Sequence, residues 1–427
     1  MHLTRPTLAA LLAVFVSPAD AAPCEPMNLA LPITAAAALQ RMDSCNRDML
    51  AAQRAVLGSV ADARVAGQGP NPTLSLGAGS ISPKAGIGAG SLWHKTLDSS
   101  VRVEQLIERG GKPKFRQAAA DRLLAAARLD VDDTRRRQGQ IVLQALLDVA
   151  VADARVKLLT DIDALQAQAQ AANQRRVAAG DLPKLELQRQ AIEAARAQAD
   201  LQQARADAQR SQLALAGLLA LEVPNAPLRV DPAVFELPPH QQAIDLALRP
   251  DVQAASARVE AARAARDLAQ AQTKMDVTVG LQLDHWPTSP SNSVGTGNTL
   301  GLTLSMPLPV RHAFEGELAR ADNDLEAAQE ALVRVRAEAT AELARLDLDL
   351  DAAQGKAQLL QAQLAPLAEQ VAQAAEFGHA KGALSLLDLI DARRTLRQTQ
   401  LDLLAARADA ARAALVRSRW TADSLEP

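Results

Sequence analysis

Two periodicities run along the chain. In "DVTVGLQLDHW" (276–286), Val277, Val279, Leu281 and Leu283 fall on one face, with Thr278, Gly280, Gln282 and Asp284 on the other. "NTLGLTLSM" (298–306) sets Leu300, Leu302 and Leu304 against Thr299, Gly301, Thr303 and Ser305. "TLSLGAG" (73–79) and "LDSSVRVEQ" (97–105) are weaker versions. Period two predicts strands at about 72–80, 97–106, 276–286 and 297–306. Elsewhere apolar residues recur at helical spacing, which predicts helices over roughly 46–68, 112–178, 183–220, 249–273, 312–380 and 384–420. The two longest have almost no internal breaker apart from Gly139, Gly355 and Pro366, and Pro366 is predicted to kink its helix. At 1.5 Å per residue these helices reach roughly 100 Å, more than a globular domain needs.

The pattern is written twice. "AAGDLPKLELQRQAIEA" (178–194) matches "AKGALSLLDLIDARRTL" (380–396), with Gly180 on Gly382, Leu182 on Leu384 and Glu186 on Asp388. The register holds without a gap to 204–215 against 406–417. A second pair, 47–77 against 250–280, ends with Gly77 on Gly280. The chain is therefore a duplicated unit of about 200 residues, and that duplication decides the fold. The units are expected at 22–220 and 248–420, joined by a proline-rich linker at 221–247, with a tail at 421–427. In each unit the first and third helices, end to end, match the long one, so the linker and the seam between short helices belong near mid-rod. Glycine suits both turns because it tolerates positive φ.

An alternating strand with one apolar and one small polar face fits lipid on one side and water on the other. A half-buried soluble hairpin is the alternative, favoured for one hairpin alone. Two hairpins, each leading into a long helix in an exported chain, favour the barrel. Four strands cannot close a barrel around water, and lipid leaves no edge unpaired. The chain must then contribute to an oligomeric barrel; three copies supply twelve strands and gather their helices into a tube.

The start of the chain, "MHLTRPTLAALLAVFVSPADAAPCEP", has a basic n-region at Arg5, an apolar run from Leu8 to Val16 and an Ala19-Asp20-Ala21 cleavage pattern. It predicts a signal peptide at 1–21. No later apolar run is long enough for a membrane helix. Export makes a Cys24–Cys45 disulfide the better reading against two free thiols. Pro23 stands where a lipobox takes a small residue, which argues against lipidation of Cys24. Composition adds that aromatics are 2%, tyrosine is absent and net charge is −3. Closely packed small-residue helices need few aromatics, and nothing points to nucleic acid. Six histidines are scattered without H-E-x-x-H, G-x-S-x-G or Walker patterns, so no enzyme, cofactor or bound metal is expected.

With signal peptide, duplicated unit, paired hairpins, long helices and the turn G-x-x-x-x-x-D-x-x-D-A, the sequence resembles the TolC-like outer-membrane efflux channels of Gram-negative bacteria over essentially the whole mature chain. "EQLIERGGKPKFR" (104–116) is most similar to the heavy-metal, CzcC/CusC-like branch. The resemblance implies a mainly α fold with a small β part: a homotrimer with a 12-strand transmembrane barrel and a periplasmic α-helical tunnel. It implies a passive duct, fed by an RND-type inner-membrane pump through a periplasmic adaptor, with heavy-metal cations as cargo.

The resemblance also assigns residues. Asp388 and Asp391 would face the pore as a constricting acidic ring that attracts cations, and mutual repulsion would raise some of their pKa values. An isolated Asp-x-x-Asp pair is otherwise a solvated helix face. Glu186 holds the first acidic position of the first copy and Arg189 the second, so the second copy should supply the ring. His379, three before Gly382, is expected to touch Glu186 and hold the tip closed when protonated; a solvent-facing histidine is the alternative. Leu182, Leu185, Leu384 and Leu387 around the turns would dock adaptor hairpins, or pack within the protomer. Trp93 and Trp286, at strand ends, suit the membrane interface. Arg109, Lys112, Lys114 and Arg116 crowd a helix start, where the dipole disfavours cations and lipid headgroups would offset it; a solvated basic turn is the alternative. A channel for drugs or for type I protein secretion shares this fold, and a soluble periplasmic coiled-coil adaptor or scaffold is the rival outside it.

Overall fold

The computed structural model describes residues 24, 27–29, 31–81, 95, 97–180, 182–221, 227–236, 245–288 and 297–420. The expected signal peptide, Trp93, the tail 421–427 and parts of the linker lie outside them. The described elements run α1 (Ala35–Cys45), α2 (Arg47–Ala66), β1 (Thr73–Gly79), β2 (Asp98–Ile107), α3 (Lys112–Ala178), α4 (Lys184–Leu218), α5 (Pro250–Gln272), β3 (Val277–Trp286), β4 (Gly297–Ser305), α6 (Glu315–Leu359), α7 (Ala365–Ala380) and α8 (Leu386–Ser418).

α3 is one uninterrupted helix of 67 residues, about 100 Å long. Its counterpart is broken. α6 passes through a π-helical turn, Leu360–Leu364, into α7, with Pro366 in the first turn of α7. Proline has no N–H to give the carbonyl four residues back and its ring crowds that carbonyl. The ladder loosens just before it, and the Ala365 N–H reaches back to the Leu360 carbonyl.

α2 and α4 pack along α3, α5 and α8 pack along α6, and α7 packs against α8. The units also interlock, because α3 packs against α5 and α8 as well. The largest core forms where the short helices meet. Met42 and Met49 pack there with Val142, Leu143, Leu146 and Leu147 of α3, and with Leu215 and Leu415. Leu228 and Val234, on the connection between units, are buried in the same cluster. α1 is an element beyond the expected first helix. Asn46 caps α2, accepting from the Asp48 and Met49 amides, and its amide donates to the Leu218 carbonyl. Cys24 and Cys45 are bridged, with Cα atoms 5.6 Å apart, so the N-terminal segment is tied to the end of α1.

Few aromatics fill these interfaces. Alanines bring the helices close, and arginine–carboxylate pairs cross between them. Arg135 meets Asp43 at 2.9 Å, Arg266 meets Asp322 at 2.9 Å and Arg412 meets Asp148 at 2.7 Å. Arg258–Asp130 and Arg417–Asp347 add two more. Such half-exposed pairs add little stability singly, but each fits one axial register of its two helices.

The four strands form one antiparallel sheet in the order β1-β2-β3-β4. Within the protomer β1 and β4 are its edges. No helix among the described residues is long and apolar enough to cross a membrane.

Candidate functional site

Strand register gives the sheet two chemically distinct faces. Leu76, Val101, Leu283 and Leu300 lie side by side across all four strands, and Leu74, Val103, Leu281 and Leu302 form the next row. All eight are exposed in the protomer. The opposite face carries Ser75, Arg102, Gln282 and Gly301 in one row and Thr73, Glu104, Gly280 and Thr303 in another. Its polar groups bond to one another. Arg102 Nε donates to Gln282 Oε1 at 2.7 Å, Arg102 Nη1 to Glu104 Oε1 at 3.4 Å, and Gln282 Nε2 to Asp284 Oδ1 at 2.6 Å. At one end of the apolar face His285 bonds to Asn298 at 2.7 Å. The His285–Asn298 pair closes the apolar band at that end. The half-exposed Trp286 falls on the opposite, polar face, where it donates its indole N–H to Thr299 Oγ1 at 3.2 Å, so it is not on the apolar side where a membrane-interface tryptophan is expected.

At the opposite rim, two successive left-handed glycines, Gly110 (φ 76°) and Gly111 (φ 79°), turn β2 into α3. A Cβ on Gly110 would stand 3.0 Å from the Ala271 carbonyl oxygen, so backbone angle and space both call for glycine. Two of the four cations expected to face lipid are committed internally instead. Lys112 is buried against Asp276 at 2.7 Å. Arg116 grips Glu108 with both nitrogens, at 2.6 and 3.1 Å, and bonds the Ala66 and Gln68 carbonyls. Those carboxylates relieve the dipole conflict at the start of α3. Arg109 and Lys114 remain exposed.

The far end of the helices carries the two turns. Gly382 (φ 75°) closes α7 in a Schellman arrangement: its N–H donates to the His379 carbonyl, and the Ala383 N–H to the Gly378 carbonyl at 2.8 Å. Gly180 (φ 84°) closes α3, donating to the Val177 carbonyl at 3.1 Å. Ser385 and Asp388 then open α8 with a capping box. Asp388 Oδ2 accepts from the Ser385 N–H at 3.0 Å and hydroxyl at 2.7 Å, while Ser385 Oγ accepts from the Asp388 N–H at 3.2 Å. These bonds hold the Asp388 carboxyl below its usual range. Asp388 and Asp391 are both exposed and one turn apart on α8.

His379 does not meet Glu186. Its Nε2 stands 3.2 Å from Arg176 Nη1, and its Nδ1 3.1 Å from the Leu384 carbonyl. The tautomer with Nδ1–H satisfies both: it donates to the carbonyl and accepts from the guanidinium. The partner is therefore a cation, and protonation would set donor against donor. This Arg176–His379 contact joins the two hairpin tips, and so does a second pair the sequence did not flag. Glu193, buried on α4, takes Arg394 of α8 at 2.6 Å and its own-helix Arg196 at 2.9 Å. A buried glutamate at helical spacing from Arg196 is the one local signal; Arg394 lies 201 residues away.

The turn leucines divide. Leu182 is 7% exposed and packs with Ala375, Leu386, Leu389 and Ala392, which removes it from any docking surface. Leu384 leans on Gly378, where a Cβ would come within 2.7 Å of its Cδ1. Leu185 and Leu387 remain 58% and 55% exposed. Among the described residues no cluster of His, Cys, Asp and Glu could hold a metal ion.

Comparison with known proteins gives a consistent result. The model of a family described as outer membrane efflux protein matches residues 38–221 and 243–416. The cobalt-zinc-cadmium resistance protein CzcC of Cupriavidus metallidurans is 27% identical over 388 residues, 90% of this chain and 88% of that one. Among solved structures, CusC superposes with a TM-score of 0.76 at 17% identity, over 92% of this chain and 91% of that chain. VceC of Vibrio cholerae gives 0.71 at 20% identity, over 91% and 95% respectively. MtrE of Neisseria gonorrhoeae, crystallised in its open state, gives 0.74 at 14% identity, over 92% and 89%.

Proposed function

The chain belongs to the outer membrane efflux protein family, and from that premise we propose that three copies form a passive export duct for heavy-metal cations. The sheet's two-faced register carries this reading: two full rows of exposed aliphatic side chains on one face, a bonded polar network on the other, and free edges at β1 and β4. Three such sheets joined edge to edge leave no backbone unpaired in lipid and put the Arg102–Gln282–Asp284 network around a water-filled lumen. The helices, about 100 Å long, then extend into the periplasm as a tunnel.

In this reading Asp388 and Asp391 from three copies meet at the tunnel mouth as an acidic ring favouring cations over anions. Resistance to cobalt, zinc and cadmium is named in the relative CzcC, and an acidic mouth suits divalent cargo. The Arg176–His379 and Arg394–Glu193 contacts hold the tips of the two repeats together, and opening separates them. An inner-membrane pump supplies the energy. A periplasmic adaptor seats its helical hairpins against the exposed Leu185 and Leu387 near the turns.

Fractionation of the expressed chain, followed by mass determination of the detergent-extracted species, tests the assembly. Outer-membrane recovery at the mass of three chains is expected; a soluble periplasmic monomer overturns the duct. Conductance of the Asp388→Asn/Asp391→Asn channel tests the ring. Its preference for cations over anions should fall, and an unchanged preference removes these residues from the pore.

A further inference from the structure

The rim of the sheet nearest the helices carries a feature the duct does not use. The apolar face continues past β4 through the exposed Met306, Leu308 and Val310, and ends on β2 at the exposed Ile107. Immediately beyond these come exposed cations: Arg109 after β2, Lys274 just before β3 and Arg311 after Val310. Ile107 pairs with Val277 and Thr278 with Ser305, so the three strand ends share one rim. Arg109 Nη1 lies 3.9 Å from Met306 Sδ, which draws that guanidinium to the β4 side. The methylenes of Lys274 pass beneath Gly110, next to Arg109.

Of the nearby carboxylates Asp276 is matched by Lys112 and Glu108 by Arg116, Glu317 bonds to His312, and Glu315 at the start of α6 is exposed. No ion pair among the described residues uses Arg109, Lys274 or Arg311. Three cations outside any ion pair, exposed directly under a lipid-facing surface, have a complementary neighbour in the phosphates of lipids whose acyl chains cover that surface.

We propose that Arg109, Lys274 and Arg311 bind headgroup phosphates of anionic phospholipids in the periplasmic leaflet, and so fix the depth of the barrel. The inference rests on the duct reading above, because it takes the Leu283 and Leu281 rows as the lipid-facing surface. Each basic residue at an anionic surface is worth about fivefold in binding.

The test uses the delipidated, detergent-purified channel, titrated with short-chain phosphatidylglycerol or phosphatidylcholine while bound lipid is counted by native mass spectrometry. Wild type should prefer phosphatidylglycerol. The Arg109→Gln/Lys274→Gln/Arg311→Gln variant should lose that preference by at least about tenfold. The charge-keeping Arg109→Lys/Lys274→Arg/Arg311→Lys variant, with the same assembly mass, should retain it. Equal binding of the two lipids by wild type, or an unchanged preference in the glutamine variant, overturns the proposal. Full displacement of phosphatidylglycerol by inorganic phosphate also overturns it, leaving a free-phosphate site. A wild-type chain that carries no detergent belt refutes the duct itself, a result distinct from a belted trimer without lipid preference.

Discussion

Ser385 and Asp388 close the first turn of α8 on each other, and that closure depends on charge. The folded carboxyl titrates below its unfolded value of about 3.9, so the stabilisation it gives is complete above that value. It is lost as pH falls through the lowered folded pKa. Asp388→Ala should speed amide exchange at the start of α8 at neutral pH, with the difference from wild type vanishing in strong acid. Gly382 poses a different problem: nothing lies within 4 Å of a Cβ placed there, so Gly382→Ala should cost only the left-handed backbone, about 1–2 kcal/mol, and Gly382→Asn less. Thermal unfolding of the three proteins orders them. The glycine is legible in the sequence from its repeat, whereas the family resemblance assigns Asp388 to a pore ring and its cap with Ser385 emerges only from the fold. The partner of His379 is not legible. The family resemblance pointed to Glu186, but the choice belongs to how the two tips pack, and that brings Arg176 from 203 residues away.

Between elements, what could be foreseen depended on breakers. α3 could be drawn from a run whose one internal breaker is Gly139, and a kink could be expected at Pro366. The form of that kink, a five-residue π turn ahead of the proline, follows from where the ladder can yield and from the packing of Leu360 against Ala406. Pro366→Ala restores a donor for the Ala362 carbonyl, so α6 and α7 should fuse, raising amide protection over 360–366 in hydrogen exchange. The short α1 escaped notice because its alanine-rich composition matches that of α2, and only the cap at Asn46 divides them. The core where the short helices meet is a further test. Leu146 is fully buried in it, and Leu146→Ala should cost about 2–5 kcal/mol in chemical denaturation. The crossing arginine pairs were invisible in advance, since every helix is rich in arginine and aspartate and only three-dimensional register selects partners.

For the whole molecule, the sheet separates rival readings most sharply. Leu302 is 77% exposed in the protomer. On a soluble scaffold Leu302→Arg would be nearly neutral, whereas at the midplane of a bilayer it should cost about 2–4 kcal/mol. Recovery of the variant in the outer-membrane fraction should fall sharply, while Thr303→Ser, on the opposite face, should be recovered like wild type. The two faces and the duplication could be read from alternation and repeat alone. The order β1-β2-β3-β4, which makes the junction between repeats as continuous as each hairpin, could not.

That order has a consequence for inheritance. β2 and β3 meet inside one chain, but β4 can meet β1 only on another copy. In a cell carrying two alleles, a chain damaged along β1 or β4 would therefore spoil the walls it joins as well as its own share. Such an allele should be dominant, and an equally severe lesion that prevents the chain from folding should be recessive.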